Sequence, residues 1–529
     1  MHYYHLLLLW GTFFVKAEDT GAKMMDRKVA LSVAVGTALA LGVSASQAES
    51  YGPYPITLQG YSGEKKNSVA YTGQVARHVL HNSLKKAISS GMSRDEMQKF
   101  WAGQKGELLA LDPKSKDGFP VTETDINKIS GGKNLNKKTL NRVVAGWPNE
   151  MTGPEMVELW MDKAAKSDKG FDAKSGMDYT QLVSKYLMGA VFYNQACDGY
   201  LDEKLNADNK PNNKPYKKGA YYTGKEHSWD EAFGYWGAPA HAMSLTPKST
   251  YNIAKGKGLN AADANGNGSV DLKSEMTFAH AYYAADADKS GKTKYLHTIT
   301  QAFIDGRKLI TAADGKALTD SQRSELRNFA ATICDNWERV IAEATFKYAG
   351  SVYKDIEKLK TIIEANGDAT KMYRTYAKHY GELKGFALAL QSGRNELGKI
   401  GEQINSLTGY GPVTLDGRQI SGFTYNQNYS YQLKGLDGFA LHMLKLQKLL
   451  DDNFNLLAKK NNKLSEIAAV TKALGDSGYV ENDQSSKGLS GYIHRPRFCA
   501  SVGSLEPTEA YLRWLPDSSF AAGWFGSSA

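Results

Sequence analysis

Apolar residues recur every three to four positions along much of this chain, which is the spacing of amphipathic helices. The segment 320–366 carries long stretches with this period, and another amphipathic segment starts at Phe439. Between Leu182 and Leu201 the chain is apolar on nearly every helical face, which predicts a helix in the middle of a bundle. Alternating strand patterns are few and short. The pattern therefore predicts an all-α fold of helical bundles.

Turn and capping signals divide this helical pattern. Ser93–Glu96 and Thr152–Glu155 fit the S/T-x-x-E capping box, in which the side chains satisfy the first free amides of a helix. Two long irregular stretches, 202–226 and 406–438, are rich in Tyr and Asn. Loops of this length are uncommon in compact domains and are often functional.

The N-terminal region has the features of a secretory signal peptide. A charged segment at residues 24–28 precedes an apolar run of small residues that ends just before Glu49. This run is too short and too rich in Ala and Gly for a comfortable membrane span, so we favour cleavage after Ala48 over an uncleaved anchor. Residues 1–23 are interpreted as the product of a start codon assigned too early. We expect a periplasmic or secreted protein.

Composition excludes several classes of partner. The 529 residues contain 65 Lys and Arg against 56 Asp and Glu, a net charge of +9 without a basic block, so we expect no nucleic acid partner. No later apolar stretch is long enough to give the mature chain a stable membrane span. The three cysteines, Cys197, Cys334 and Cys499, form no CxxC motif and allow at most one disulfide.

Two segments share a histidine followed three residues later by an acid. They begin at His227 and His379, and each continues into an aromatic residue and a glycine. Positions i and i+3 lie on one helix face, where imidazole and carboxylate can hold a metal ion or exchange a proton. The candidate metal ligands are His227, Asp230, Glu231, His379 and Glu382.

A histidine and an acid three residues apart also occur by chance in any long helical protein. Ser228–Glu231 fits a capping box, which would place His227 just outside a helix start. Arg77 is a candidate ligand-binding residue for an anion or carboxylate, but Arg77 and Arg307 equally fit interior salt bridges.

The segment LNAADANGNGSVDLKSE has the spacing of an EF-hand-like calcium loop, with oxygen donors at alternate positions and a glycine at the sharp turn. Its final acid comes one position late, and two positions carry amides, so we expect weak binding, with a Kd on the order of 10⁻⁴–10⁻³ M. The alternative is a turn without metal. The candidate calcium ligands are Asp263, Asn265, Asn267, Ser269, Asp271 and Glu275.

Blocks spread over about residues 50–395 resemble the bacterial family called domain of unknown function 4856, which looks related to the imelysin-like proteins of the peptidase M75 group. The blocks are SVAYTGQVARHVL, YLMGAVFYNQ, HSWDEAFGYWG, DANGNGSVDLKSE, AFIDGRKLI and HYGELKGFALALQ. The resemblance implies a periplasmic all-helical protein of two duplicated bundles, with links to metal binding and iron uptake. Imelysin-like proteins carry a GxHxxE motif, whereas here Gly224 stands three residues before His227.

These observations lead to a domain map and three functional hypotheses. The map has an upstream extension plus signal peptide (1–48), an N-terminal helical half (49–260), a calcium-loop region (261–295), a C-terminal helical half (296–475) and an irregular tail (476–529). The leading hypothesis is a periplasmic imelysin-like protein that binds iron or zinc, carries a structural calcium loop and is not an enzyme. The alternatives are an M75-type metallopeptidase, although no HExxH motif occurs, and a ligand-binding or interaction module of the cell envelope whose loop 406–438 covers a pocket.

Overall fold

The computed structural model describes residues 48–475, except residues 114, 394, 396 and 425. The predicted signal peptide and the tail from residue 476, including Cys499, lie outside the described residues.

Helices dominate the described part of the chain, and the predicted all-α fold is confirmed. They are α1 (Thr72–Ser89), α2 (Arg94–Ala102), α3 (Ile126–Ser130), α4 (Gly153–Ala165), α5 (Tyr179–Leu187), α6 (Gly224–Trp236), α7 (Pro247–Ile253), α8 (Ala279–Asp288), α9 (Tyr295–Ala312), α10 (Asp320–Glu364), α11 (Thr370–Ala389), α12 (Lys399–Thr408), α13 (Leu436–Phe454) and α14 (Ile467–Leu474). A π-helix, Met188–Tyr200, continues α5. The predicted capping boxes begin α2 and α4.

Six short strands form three two-stranded sheets in the described residues. They are β1 (Val121–Thr122), β2 (Phe171–Asp172), β3 (Met177–Asp178), β4 (Val270–Asp271), β5 (Arg418–Phe423) and β6 (Tyr429–Leu433). β1 pairs with β4 in parallel, whereas β2–β3 and β5–β6 are antiparallel. The hairpin β5–β6 lies inside the segment 406–438, so that segment is less irregular than predicted. Its Gly- and Asn-rich turns obscured the strand pattern.

The long helix α10 organises the core. Its 45 residues span about 68 Å, and it packs against α8, α9, α11 and α13. The predicted period places Trp337, Ile341 and Phe346 in the interior, where each is fully buried. Burial of such large side chains contributes about 1.5–3 kcal/mol each, which fixes the faces of α10 against its neighbours.

The predicted N- and C-terminal halves share one hydrophobic core. α5 packs along α11, and every residue of α5 is buried, as its apolar pattern predicts. The disulfide Cys197–Cys334 also joins the π-helix to α10. The boundaries and the duplication of the two halves stay predictions.

Among the described residues, no helix combines the length and the apolar character needed to cross a membrane.

Candidate functional site

The predicted ligand Asp230 belongs to a buried ion-pair network. Helix α6 begins after Thr223, whose capping box with Glu226 places Asp230 within the helix. Asp230 Oδ1 accepts hydrogen bonds from Tyr51 Oη at 2.7 Å and from Arg307 Nε at 2.9 Å. Arg307 Nη1 also lies 3.2 Å from Glu226 Oε1, and all three charged side chains are inaccessible to solvent. The structure thus places Arg307 in an interior salt bridge, the alternative interpretation of its sequence.

His227 and Glu231 lie one turn apart on the outer face of α6. His227 Nε2 is 3.8 Å from Glu231 Oε1, and the imidazole stacks on the Tyr222 ring at 4.2 Å. Burial lowers the pKa of His227. Glu231 accepts hydrogen bonds from Gln74 Nε2 at 2.8 Å and from Tyr216 Oη at 3.3 Å. These two hydrogen bonds fix the orientation of the Glu231 carboxylate.

Arg77 lies in the same neighbourhood as Glu231. Its Nε donates to Asn134 O at 3.0 Å and its Nη1 donates to Gly73 O at 3.2 Å. The charges of Arg77 and Glu231 act in opposite directions on the pKa of Tyr235, which burial raises. The structure therefore brings three predicted residues, Arg77, His227 and Glu231, to one side of α6.

His379 and Glu382 have other partners. His379 Nδ1 lies 2.5 Å from Asp355 Oδ2 of α10, whereas Glu382 Oε1 is 3.9 Å from Lys185 Nζ of α5. In the part of the chain that the structure describes, no three His, Cys, Asp or Glu side chains are grouped so that they could hold a metal ion. A shared site for His227 and His379 therefore gains no support from side-chain placement and stays a prediction.

The calcium-type loop folds around its first carboxylate. Asp263 Oδ1 accepts from the Asn267 amide at 3.0 Å, and Oδ2 accepts from the Gly268 amide at 2.8 Å. Glu275, which is 2% exposed, accepts from the Ala264 amide at 3.0 Å. The late position of Glu275 therefore does not prevent its carboxylate from closing the loop.

The remaining predicted calcium ligands also form bonds within the loop. Asn265 Oδ1 accepts from the Asn267 amide at 3.0 Å, and the Ser269 amide donates to Asn267 Oδ1 at 2.9 Å. Asp271 Oδ1 accepts from the Ser274 amide at 2.6 Å. The side-chain oxygens of the loop thus accept hydrogen bonds from its own amides, and calcium binding stays a prediction from the sequence.

A cavity of about 330 Å³ lies where α1, α5, α8 and α11 meet. Aromatic and aliphatic side chains, including Phe278, Tyr282 and Tyr283, form much of its wall. The sequence motifs did not predict this cavity. Among its lining residues, Glu382 is the one that the sequence had singled out. The charged side chains that line it are Lys85, Lys86, Asp112, Lys185, Lys255 and Glu382.

Neutral polar residues, Thr277 and His81 among them, line the same cavity. Thr277 is 2% exposed, and its Oγ1 has no hydrogen-bond partner among the described residues. His81 Nε2 lies 2.9 Å from Ser184 O, and burial lowers the pKa of His81 to about 3, so this imidazole is neutral near pH 7. An unpartnered buried hydroxyl carries a desolvation cost, which a bound molecule can relieve.

A smaller cavity of about 110 Å³ lies beside the segment 406–438. Asn405, Tyr410, Gln419 and Gln432 contribute to its lining. Nearby, the fully buried Lys384 Nζ donates to Asn405 Oδ1 at 3.2 Å, and burial lowers the pKa of Lys384 to about 7. The Tyr- and Asn-rich segment thus does line a cavity, although the larger cavity lies elsewhere.

The described site features fall partly within a recognised sequence family. Residues 161–334 match the family model described as Domain of unknown function (DUF4856). The comparisons with curated proteins and with solved structures gave no match. The matched segment includes α6, the calcium-type loop and Cys334. The relation to imelysin-like proteins stays a prediction. Residues 161–334 thus match the domain of unknown function that the sequence blocks predicted, over a shorter span than the expected residues 50–395.

Proposed function

We propose that this protein is an extracytoplasmic ligand-binding protein whose site is the 330 Å³ cavity between α1, α5, α8 and α11. The observation that carries the proposal is the convergence of polar groups on this cavity, with the unpartnered hydroxyl of Thr277 among them. Its volume falls at the small end of the roughly 300–1,000 Å³ typical of ligand sites. Of the three hypotheses drawn from the sequence, the cavity supports the ligand-binding module of the cell envelope.

The disulfide supports a location outside the cytoplasm. Cys197 and Cys334 are both buried and are joined across the core. Structural disulfides persist in oxidising compartments and are rare in the cytosol of mesophilic organisms. This agrees with the signal peptide interpreted from residues 24–48.

The chemistry at the cavity favours binding over hydrolysis. Ser184 Oγ lies 3.2 Å from His81 Nε2, a pairing that could suggest a nucleophile and its base. The same nitrogen lies 2.9 Å from the Ser184 carbonyl oxygen, and this contact requires a hydrogen on Nε2. A nitrogen that donates to a carbonyl cannot also take the serine proton. The metallopeptidase and transition-metal hypotheses stay predictions from the sequence.

A tryptophan at the cavity wall is expected to abolish binding. Ser89 lines the cavity at the exposed end of α1, so the indole of Ser89→Trp would occupy the entrance. A library of small neutral and charged compounds is screened by ligand-observed NMR, and we expect hits whose affinity falls at least about tenfold in this variant.

Ser90→Trp is the matched control. Ser90 is equally exposed but does not line the cavity, so hits should bind this variant like the wild type. If no compound binds, or if binding is the same in Ser89→Trp and Ser90→Trp, the cavity is not a ligand site. Melting curves of both variants check that the fold is retained.

We further propose that the loop from Asp263 to Glu275 binds calcium and thereby stabilises the cavity wall. The alternation of oxygen-bearing side chains from Asp263 to Asp271, with Glu275 bonded back to the Ala264 amide, favours this role. The chain leaving the loop reaches Thr277, and Leu272, Met276 and Thr277 line a second cavity of about 20 Å³, which shares Thr277 with the main cavity. Ordering of the loop is thus expected to stabilise the binding site.

Calcium is expected to raise the melting temperature. At a concentration about tenfold above Kd, binding adds about 1.4 kcal/mol to the free energy of unfolding, which corresponds to about 1–3 °C. Asp263→Ala should remove the shift, whereas Asp208→Ala, an exposed carboxylate outside the loop, should retain it. Identical melting of the wild type in calcium and in chelator would contradict the proposal.

A further inference from the structure

We infer that the ligand of the 330 Å³ cavity is a small organic anion that carries a carboxylate or phosphate group. This inference rests on the proposed function, since it names the class of ligand for the same site. The charge balance of the lining, its neutral donors and its apolar wall support this class of ligand.

The lining carries more positive than negative charge. Four lysines and two carboxylates line the cavity, which leaves a balance of two positive charges. Lys86 Nζ lies 3.4 Å from Asp112 Oδ2, and Lys185 Nζ lies 3.9 Å from Glu382 Oε1. His81 adds no charge, because burial lowers its pKa to about 3.

Lys85 and Lys255 account for the remaining positive charge. Lys255 Nζ donates to Tyr251 Oη at 2.6 Å, and both lysines are half-buried. Lys85 comes from the last turns of α1, whereas Lys255 follows α7, so two separate elements each contribute a lysine to the lining of one cavity. A partly enclosed oxyanion between two such groups gains charge-assisted hydrogen bonds.

The other groups favour an organic ligand over a bare inorganic ion. Thr277 Oγ1 supplies an unused donor and acceptor, and Asn82 supplies an amide at the same wall. Leu111, Met188 and Phe278 present apolar surface to the remainder of the cavity. A molecule with an oxyanion at one end, a hydrogen-bonding group and a compact carbon skeleton matches these three features.

Matched anionic and neutral compounds test this inference. The probes are benzoate, succinate, glycerol 3-phosphate and glucose 6-phosphate, each compared with benzamide, succinamide, glycerol or glucose as its neutral counterpart. Binding is measured by saturation-transfer NMR and calorimetry. We expect one or more anions to bind at least about tenfold more tightly than their counterparts, with affinity falling as salt is added.

Charge-removing variants identify the groups responsible. Lys85→Gln and Lys255→Gln should each weaken anion binding by about tenfold, whereas Lys257→Gln, an exposed lysine two residues away that does not line the cavity, should change nothing. Thr277→Val should weaken binding by about threefold to tenfold without lowering the melting temperature, because it removes an unpartnered hydroxyl.

The outcomes separate the inference from the proposed function. If neutral counterparts bind as tightly as the anions and Ser89→Trp still blocks them, the anion inference is wrong and the binding site stands. If Lys85→Gln and Lys255→Gln leave anion affinity unchanged, the inference is also wrong. If no probe and no library compound binds, or Ser89→Trp has no effect, both the inference and the proposed function are wrong.

Discussion

Acidification from pH 7 to about 4.5 is expected to unfold the protein, because buried neutral histidines gain protons on unfolding. Burial lowers the pKa of His78, His81 and His442 to about 3, and it also lowers the pKa of the fully buried His280. In the unfolded chain these imidazoles titrate near the ordinary value of 6.5. The unfolded state therefore binds more protons than the folded state between about pH 6.5 and pH 3.

The sign and size of the effect follow from this difference. The stability contribution of each neutral histidine is complete above pH 6.5 and is lost as the pH falls towards 3. At pH 5 each of the three histidines lowers the free energy of unfolding by about 2 kcal/mol, and together they remove about 6 kcal/mol. Because whole domains are stable by about 5–15 kcal/mol, this loss brings the protein close to unfolding.

Far-ultraviolet circular dichroism between pH 7 and pH 3 measures this transition. His81→Gln should move its midpoint to lower pH, because glutamine can keep a hydrogen bond to Ser184 O without taking up a proton. His297→Gln is the control, since His297 Nε2 also contacts a main-chain carbonyl, at 2.9 Å, but the residue is only half-buried. Retention of full helicity at pH 3.5, or equal midpoints for the wild type and His81→Gln, would contradict the expectation.

The helical framework could be predicted because its signals are local. The 3.6-residue period of 320–366 corresponds to α10, and the capping boxes at Ser93 and Thr152 mark the starts of α2 and α4. Each signal depends on residues within a turn or two of one another. Such signals predict where a helix lies and which of its faces is apolar, but they do not predict which element that face contacts.

The role of Asp230 shows where local signals stop. A histidine followed three residues later by an acid predicts that both side chains lie on one helix face, where they can hold a metal ion or exchange a proton. The deciding partner is Arg307, whose Nε lies 2.9 Å from Asp230 Oδ1 although it is 77 residues away in sequence. No spacing rule links these two positions. Only the packing of α9 against α6 brings Arg307 to Asp230.

The cavity could not be predicted from sequence for the same reason. Its lysines come from positions 85, 86, 185 and 255, and its acid Glu382 comes from α11. Singly, each resembles a surface charge on an amphipathic helix. Their convergence depends on α1, α5, α8 and α11 meeting at one point. Residues of the segment 406–438 line the smaller cavity, and the binding role predicted for that segment stays a prediction.

The Cys197–Cys334 bond is expected to contribute about 5 kcal/mol to the free energy of unfolding. The cysteines are 137 residues apart, so the cross-link removes much conformational entropy from the unfolded chain. The bond also links the π-helix to α10 within the shared core. The double variant Cys197→Ala/Cys334→Ala should therefore unfold at a much lower urea concentration than the oxidised wild type.

Urea titrations of oxidised and reduced protein measure this contribution. Because both cysteines are buried, the wild type should be reduced in urea and refolded before its titration. The reduced wild type should then match the double variant, whereas Cys499→Ser, which removes the third thiol, should unfold like the oxidised wild type. Equal midpoints for the oxidised wild type and the double variant would contradict the expectation. They would also weaken the extracytoplasmic proposal, since a bond without stabilising effect gives no reason for the chain to fold in an oxidising compartment.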